Sequence, residues 1–196
     1  MTTQNILEDL DLSFHPLTQK LWRDFELLFG ENGACGGCWC MHWKLRGKAF
    51  DENKGGNNRQ MQKSIVDKKN VPGLLAYSEG YPVGWVAVEP RSQYPRLAHS
   101  KVLAPIDEQE VWSITCMFVE KKQRRKGISA ALIQAAAEYA ASQGAQIVEG
   151  YPIETQEKSA PPVFIFTGLP SAFEQAGFVE VARRSPTRPI YRLVIK

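Results

Sequence analysis

The sequence predicts an α/β (α+β) fold in which helices flank one mixed central sheet, and two observations carry that prediction. Residues 73–78 and 82–89 are β-rich runs joined at Glu79-Gly80-Tyr81, a short glycine-containing connection that makes an antiparallel hairpin. Residues 111–119 are a continuous apolar run, rich in β-branched and aromatic side chains as a buried strand requires. A helical segment divides this run from a further strand, 146–150, so those two strands lie parallel through a right-handed crossover. At 196 residues the chain fills one core, read here as a single domain over 1–196.

The remaining elements follow in order. Leu10–His15 is a short strand ended by Pro16. Thr18 is placed to cap a helix running to Phe29, with Leu17, Leu21, Phe25, Leu28 and Phe29 inward. Residues 30–58 are glycine-rich with little periodicity and read as a long inserted loop, the kind that tends to be functional. Arg59–Asn70 is a helix with Met61, Ile65 and Val66 inward. The polar stretch Pro90–Gln109 links the hairpin to the central strand. After strand 146–150, residues 154–170 form a second loop carrying Phe164 and Phe166. Ser171–Ala176 is a short helix closed by Gly177, followed by strands 178–182 and 190–195.

Chemistry concentrates where the central strand turns into the central helix. Lys121, Lys122, Arg124, Arg125 and Lys126 precede Gly127, after which apolar residues recur at helical spacing through Ile128, Leu132, Ala135, Ala136, Tyr139 and Ala140, up to Gly144. A helix start carries about half a positive charge, so cations there each cost roughly 0.3 kcal/mol or more. Their presence makes sense if an anion sits against the turn, since free N–H groups, a glycine and nearby cations form a phosphate site. A solvated basic face is the plain alternative. No P-loop pattern exists, and Gly127 stands without the partners of a dinucleotide fingerprint.

Arg124-x-x-Gly127-x-Ser129, five residues after Val119, resembles the Arg/Gln-x-x-Gly-x-Gly/Ala loop of the GNAT superfamily of acyl-CoA-dependent N-acyltransferases. Ala172-Phe173-Glu174-Gln175-Ala176-Gly177-Phe178 is similar to that family's Tyr-Glu-x-x-Gly-Phe element, and the order of elements also agrees. The resemblance implies a mostly antiparallel sheet with a parallel pair at its centre. It further implies acetyl-CoA as co-substrate, its diphosphate held by Arg124, Arg125, Lys126, Gly127, Ile128, Ser129 and Ala130. Met117, Phe118 and Val119 would line the pantetheine arm, between strands 111–119 and 146–150. By the same resemblance an amine attacks the thioester directly, and a backbone N–H of the central strand stabilises the oxyanion.

Two departures from the family pattern stand out. Phe173 occupies a position where many relatives carry a tyrosine that protonates the leaving thiolate. Strand 111–119 holds no carboxylate to act as a base, so Glu149 is the candidate base and Tyr151 the candidate acid. Each has an ordinary alternative, a strand-end acid and an interfacial tyrosine. Cys116 is either a nucleophile or a core cysteine.

The stretch Cys35-Gly-Gly-Cys38-Trp39-Cys40-Met41-His42-Trp43 offers several potential metal ligands. Structural zinc sites, however, use two ligand pairs a dozen or more residues apart, so no metal is expected. An extended segment would place the Cys/His and Trp/Met side chains on opposite faces. A redox pair, a plain buried segment and a pocket wall all remain open. The pocket reading takes Trp39, Cys40, His42, Trp43 and Phe166 as lining for an acceptor amine.

Composition narrows the classes. The chain is 43% hydrophobic and 23% charged, so it folds, and its net charge of +3 with scattered cations argues against a nucleic-acid partner. No apolar run approaches the ~20 residues of a membrane span, and the acidic start lacks the pattern of a secretory signal. A reducing, cytoplasmic home with free thiols is therefore expected. A homodimer is compatible with the reading. The competing hypotheses are an N-acetyltransferase of small amines or peptides, a non-catalytic acyl-CoA sensor, and a nucleic-acid binder.

Overall fold

Glu79 and Gly80 both adopt left-handed backbone conformations (φ 50° and 79°), the pair that a tight hairpin turn needs to match strand twist. This hairpin is one piece of a sheet seen in a computed structural model that describes residues 11–155 and 164–195. In chain order the elements are β1 (Leu12–Pro16), a 3₁₀ turn, α1 (Trp22–Phe29), α2 (Gly47–Glu52), α3 (Gly56–Asp67), β2 (Gly73–Ser78), β3 (Tyr81–Pro90), α4 (Pro95–Ala98), β4 (Trp112–Val119), α5 (Ile128–Ser142), β5 (Ile147–Gly150), α6 (Pro170–Gln175), β6 (Val179–Arg183) and β7 (Pro189–Val194).

The seven strands run β1-β2-β3-β4-β5-β7-β6. Every neighbouring pair is antiparallel except β4–β5, which is parallel, as expected from the intervening helix. The α5 helix covers one face of the sheet: Leu132, Ile133, Ala136 and Ala140 pack on Leu74, Val86, Val88, Ile114 and Met117. The other face is covered by α1 and the loop after it, where Phe25, Phe29, Trp39 and Cys40 pack on Leu75, Trp85 and Ala87. A third cluster joins Trp43, Tyr94, Leu97, Leu103, Tyr151 and Ile190.

Several local expectations are corrected. Thr18 makes no side-chain cap; a 3₁₀ turn, Gln19–Leu21, intervenes and the α-helix begins only at Trp22, which is itself buried. The 30–58 segment contains α2 and the start of α3, whose six- and twelve-residue lengths leave little room for periodicity to show. Because α3 begins at Gly56, its inward face is Asn58, Gln62 and Val66, and Met61 is exposed. The 90–109 stretch is not merely polar: it contributes buried Tyr94, Leu97 and Leu103. Leu10 lies outside the described residues.

Candidate active site

The centre of the sheet is irregular in a way that matters. Ala87 pairs with Cys116 and Val88 with Ile114, so Thr115 is an extra residue bulged out of β4. Side-chain alternation shifts across the bulge: Trp112 and Ile114, then Met117 and Val119, face α5, while Cys116 and Phe118 face the α1 side. Parallel pairing of β4 with β5 ends at Ile114 and Gly150. Beyond that point the strands part, and the segment 165–168 lies alongside them. Its Phe166 carbonyl accepts from Met117 N–H (2.6 Å), and its Gly168 carbonyl accepts from Ile153 N–H (2.9 Å). Glycine suits this position, since its backbone is left-handed (φ 90°) and a Cβ would also crowd the Met117 methyl and the Phe173 ring.

Downstream of β4, the basic turn wraps the start of α5. Arg125 and Gly127 are both left-handed (φ 65° and 84°), a backbone suited to presenting successive N–H groups to an anion. Lys126 N–H closes the turn at 124–125, while the N–H groups of Arg125, Gly127, Ile128 and Ser129 meet no acceptor among the described residues. Arg124 turns back to donate through Nε to Val119 O (2.9 Å) and lies over the Phe118 ring. It braces the turn, while Arg125 and Lys126 are exposed. The Ile128 and Ala130 side chains are core, so only their backbone faces a ligand. Free amides at a helix start beside exposed cations fit a diphosphate. Coenzyme A would supply the activated acyl thioester there.

Glu149 and Tyr151 come together, but in a closed network. Glu149 Oε1 accepts from Arg192 Nε (2.8 Å), and Oε2 accepts from Tyr151 OH (2.7 Å) and Arg91 Nη1 (3.3 Å). Tyr151 OH in turn accepts from Arg91 Nη1 (2.6 Å) and lies 2.8 Å from Ser113 Oγ. Asp107 grips the far side of Arg192 at 2.6 and 3.0 Å, and that guanidinium holds the Asp107 carboxyl well below the usual carboxylate range. Burial, then the Glu149 charge, pushes the Tyr151 phenol far above its ordinary value. A phenol so situated keeps its proton. Glu149 and Tyr151, the expected base and acid, thus share one buried network that joins β5 to Arg91 and to Arg192 of β7. Phe173 is fully buried against Gly150 and Gly168 and brings no hydroxyl.

The five residues read as an acceptor pocket divide into two groups. The chain at 38–41 is turned, not extended: Trp39 and Cys40 are consecutive left-handed residues (φ 47° and 62°), and this sends both into the core beneath α1. Trp39 and Cys40 are thus packing residues, contrary to the pocket reading. His42, Trp43 and Phe166 do meet: the His42 ring lies edge-on to Trp43 (5.1 Å), Phe50 (5.2 Å) and Phe166 (5.3 Å). A cavity of about 460 Å³ opens there, lined by His42, Trp43, Arg46, Arg96 and His99. Arg96 Nη1 lies 3.0 Å from His42 Nδ1. Burial, then Arg96, lowers the imidazole to about 4.

Two buried groups nearby, Trp43 Nε1 and Tyr94 OH, have no hydrogen-bond partner among the described residues. Sequence reasoning also missed the buried Lys44–Glu89 ion pair, which ties this loop to β3 beside the bulge. Burial raises the Glu89 carboxyl above its ordinary value, and Lys44 opposes that rise. An isolated acid late in a strand gives no sequence signal of its partner. Among the described residues no cluster of three or more His, Cys, Asp or Glu side chains is arranged to hold a metal ion, and no helix is long and apolar enough to cross a membrane.

The mixed sheet opens between its two parallel strands, and the basic turn at the start of α5 stands beside that opening. Residues 17–160 match the model of the acetyltransferase (GNAT) family, and the chain belongs to that family. No curated protein matches it at a significant level. Among solved structures, a GNAT-family acetyltransferase from Listeria monocytogenes aligns with TM-score 0.55 at 9% identity, over 94% of this chain and 95% of that one. The ribosomal-protein-S5-alanine acetyltransferase of Vibrio fischeri aligns with TM-score 0.51 at 14% identity, over 94% and 93%. The NatC complex bound to Gag peptide and CoA aligns with TM-score 0.52 at 11% identity, over 95% and 99%. At these identities the likeness is one of fold.

Proposed function

We propose that this protein transfers an acetyl group from acetyl-CoA to the primary amine of a small molecule or peptide, by direct attack. The observation that carries the reading is that the N–H groups of Gly127, Ile128 and Ser129 at the α5 start meet no acceptor among the described residues, next to the parting of β4 and β5. The pantetheine arm would extend along β4 past Val119 and Met117. The amine nitrogen attacks the thioester carbonyl, a C–N bond forms, and the C–S bond breaks to release the thiolate. A β4 backbone N–H beyond the bulge stabilises the oxyanion.

The amine would arrive from the His42, Trp43 and Phe166 side, where the buried Trp43 Nε1, without a hydrogen-bond partner among the described residues, can meet a polar acceptor or water. The two buried carboxylates nearest the bulge and the end of β5, Glu89 and Glu149, are each ion-paired. The amine proton therefore leaves through water, and the thiolate takes its proton from solvent.

A second reading, an acyl-CoA sensor without turnover, is favoured by two observations: Met117 N–H is held by Phe166 O, and Phe173 supplies no acid. Incubation with acetyl-CoA and a panel of amines and N-terminal peptides, followed by product mass, separates the two. Acetylated product supports the enzyme; tight CoA binding with no product from any amine supports the sensor.

A further inference from the structure

The cavity beside His42 carries positive charge that no described residue neutralises. Other buried or half-buried cations at this end of the sheet each meet a carboxylate: Lys44 meets Glu89, Arg91 meets Glu149, and Arg192 meets Glu149 and Asp107. Arg96 and Arg188 are also half-buried, yet among the described residues neither forms an ion pair. Arg96 Nη1 donates to the His42 carbonyl (3.0 Å), and its guanidinium lies over the Phe50 ring at 5.8 Å. Its Nε and Nη2 donate to no described residue. Arg188 makes one long bond, from Nη1 to Thr167 Oγ1 at 3.4 Å. Taking a guanidinium partly out of water is costly unless acceptors or an anion meet it.

The two arginines flank the place where an acceptor would wait. Thr167 follows Phe166, whose carbonyl takes the Met117 N–H on β4 and whose ring lies 5.3 Å from that of His42. One two-residue stretch thus touches β4 beyond the bulge, the cavity and Arg188. Arg46, exposed, lines the same cavity with Arg96, and no Asp or Glu among the described residues does. The carboxylate that acts on His42, Asp51, is exposed and already paired with Lys54 at 2.7 Å. His42 registers the resulting field: burial, then Arg96, then Arg188 lower its imidazole to about 4. The volume of about 460 Å³ suits a small molecule.

We infer that the acceptor is a small primary amine that also carries a carboxylate, held by the Arg96 and Arg188 guanidiniums in the cavity beside His42. A guanidinium fork meets two carboxylate oxygens through parallel N–H groups, which fixes orientation as well as charge. A plain alkylamine would leave both arginines uncompensated and, arriving as an ammonium, would add a further positive charge. An amino acid brings its own compensation. The inference names the acceptor class and rests on the acyl-transfer reading.

The test offers the whole chain, with acetyl-CoA, amino acids of varied length beside their amides, and reads kcat/KM from acetylated product by mass. The acids should be preferred by about tenfold or more, chiefly through KM. In Arg96→Gln and Arg188→Gln that preference should shrink. Arg96→Lys, which keeps the charge and loses the fork, should fall between and supplies the arm should the glutamine variant fold poorly. Calorimetric titration of the same acids and amides reads the preference without turnover. Carboxylate-selective binding with no product from any amine would overturn acyl transfer and leave the carboxylate site in place. Equal binding and turnover of acid and amide overturn the inference. So does a preference for phosphate-bearing amines, or one that survives unchanged in both arginine variants.

Discussion

The amide of Met117 donates to the carbonyl of Phe166 across 2.6 Å, at the point where β4 and β5 have parted. Any extended ligand that pairs with this part of β4 must take that N–H, so acetyl-CoA binding exchanges one hydrogen bond for another. The net gain at that atom is small, because the broken bond is of the same kind as the new one. Hydrogen–deuterium exchange should show residues 165–168 exchanging faster once acetyl-CoA is bound, while the 125–130 turn exchanges more slowly. Slower exchange in both segments would place the thioester elsewhere.

Gly150→Ala tests how tightly β5 is seated. A Cβ there would lie 1.9 Å from Phe173 Cε1, inside a ring that is completely buried. Overpacking of this kind costs about 1–3 kcal/mol, which urea denaturation would read as a lower midpoint. An unchanged midpoint would mean that Phe173 moves aside freely.

Glu149→Gln separates a positioning role from a catalytic one. The carboxylate is paired with Arg91 and Arg192, and its side chain is 1% exposed. Removing its charge leaves two guanidiniums under-compensated, and the expected loss of stability is about 3 kcal/mol. The pH profile of whatever activity remains should keep its shape. A stable variant with activity down roughly a hundredfold or more would restore Glu149 as a general base.

His42 makes stability depend on pH. Its folded value near 4 lies below the ordinary 6.5, so between those values the unfolded chain binds more protons than the folded one. Stability is therefore full above about pH 6.5 and falls as the pH drops toward 4. The ring is partly exposed, which screens the effect to on the order of 1 kcal/mol. Denaturation midpoints measured from pH 7 to 4 should show this slope, and His42→Gln should flatten it.

Much of this architecture was legible in the chain, and the exceptions share a cause. The β4–turn–α5 unit and the hairpin at Glu79-Gly80 are local: apolar run, glycine and helical period all lie within a few residues of one another. The parallel pairing of β4 with β5 followed from the helix between them. By contrast, the partners of Glu149 come from residues 91 and 192, and the partner of Glu89 from residue 44. No local pattern announces such pairings, so Glu149 read as a candidate base or a strand-end acid.

The Cys/Trp stretch misled for a related reason. Left-handed backbone at Trp39 and Cys40 is imposed by tertiary packing, and it cancels the alternation that an extended segment would have. The bulge at Thr115 likewise interrupts alternation inside a strand whose sequence is apolar on both faces.

Gly127 tests the proposed diphosphate site at the α5 start most directly. Its left-handed φ of 84° means that Gly127→Ala bears the backbone strain alone, about 1 kcal/mol, whereas Gly127→Glu adds a negative charge against the anion. The measurement is the shift in thermal midpoint on adding acetyl-CoA to wild type and to both variants. Wild type should be stabilised, Gly127→Ala less so, and Gly127→Glu not at all while still unfolding cooperatively. Equal stabilisation of Gly127→Glu and wild type would contradict the assignment.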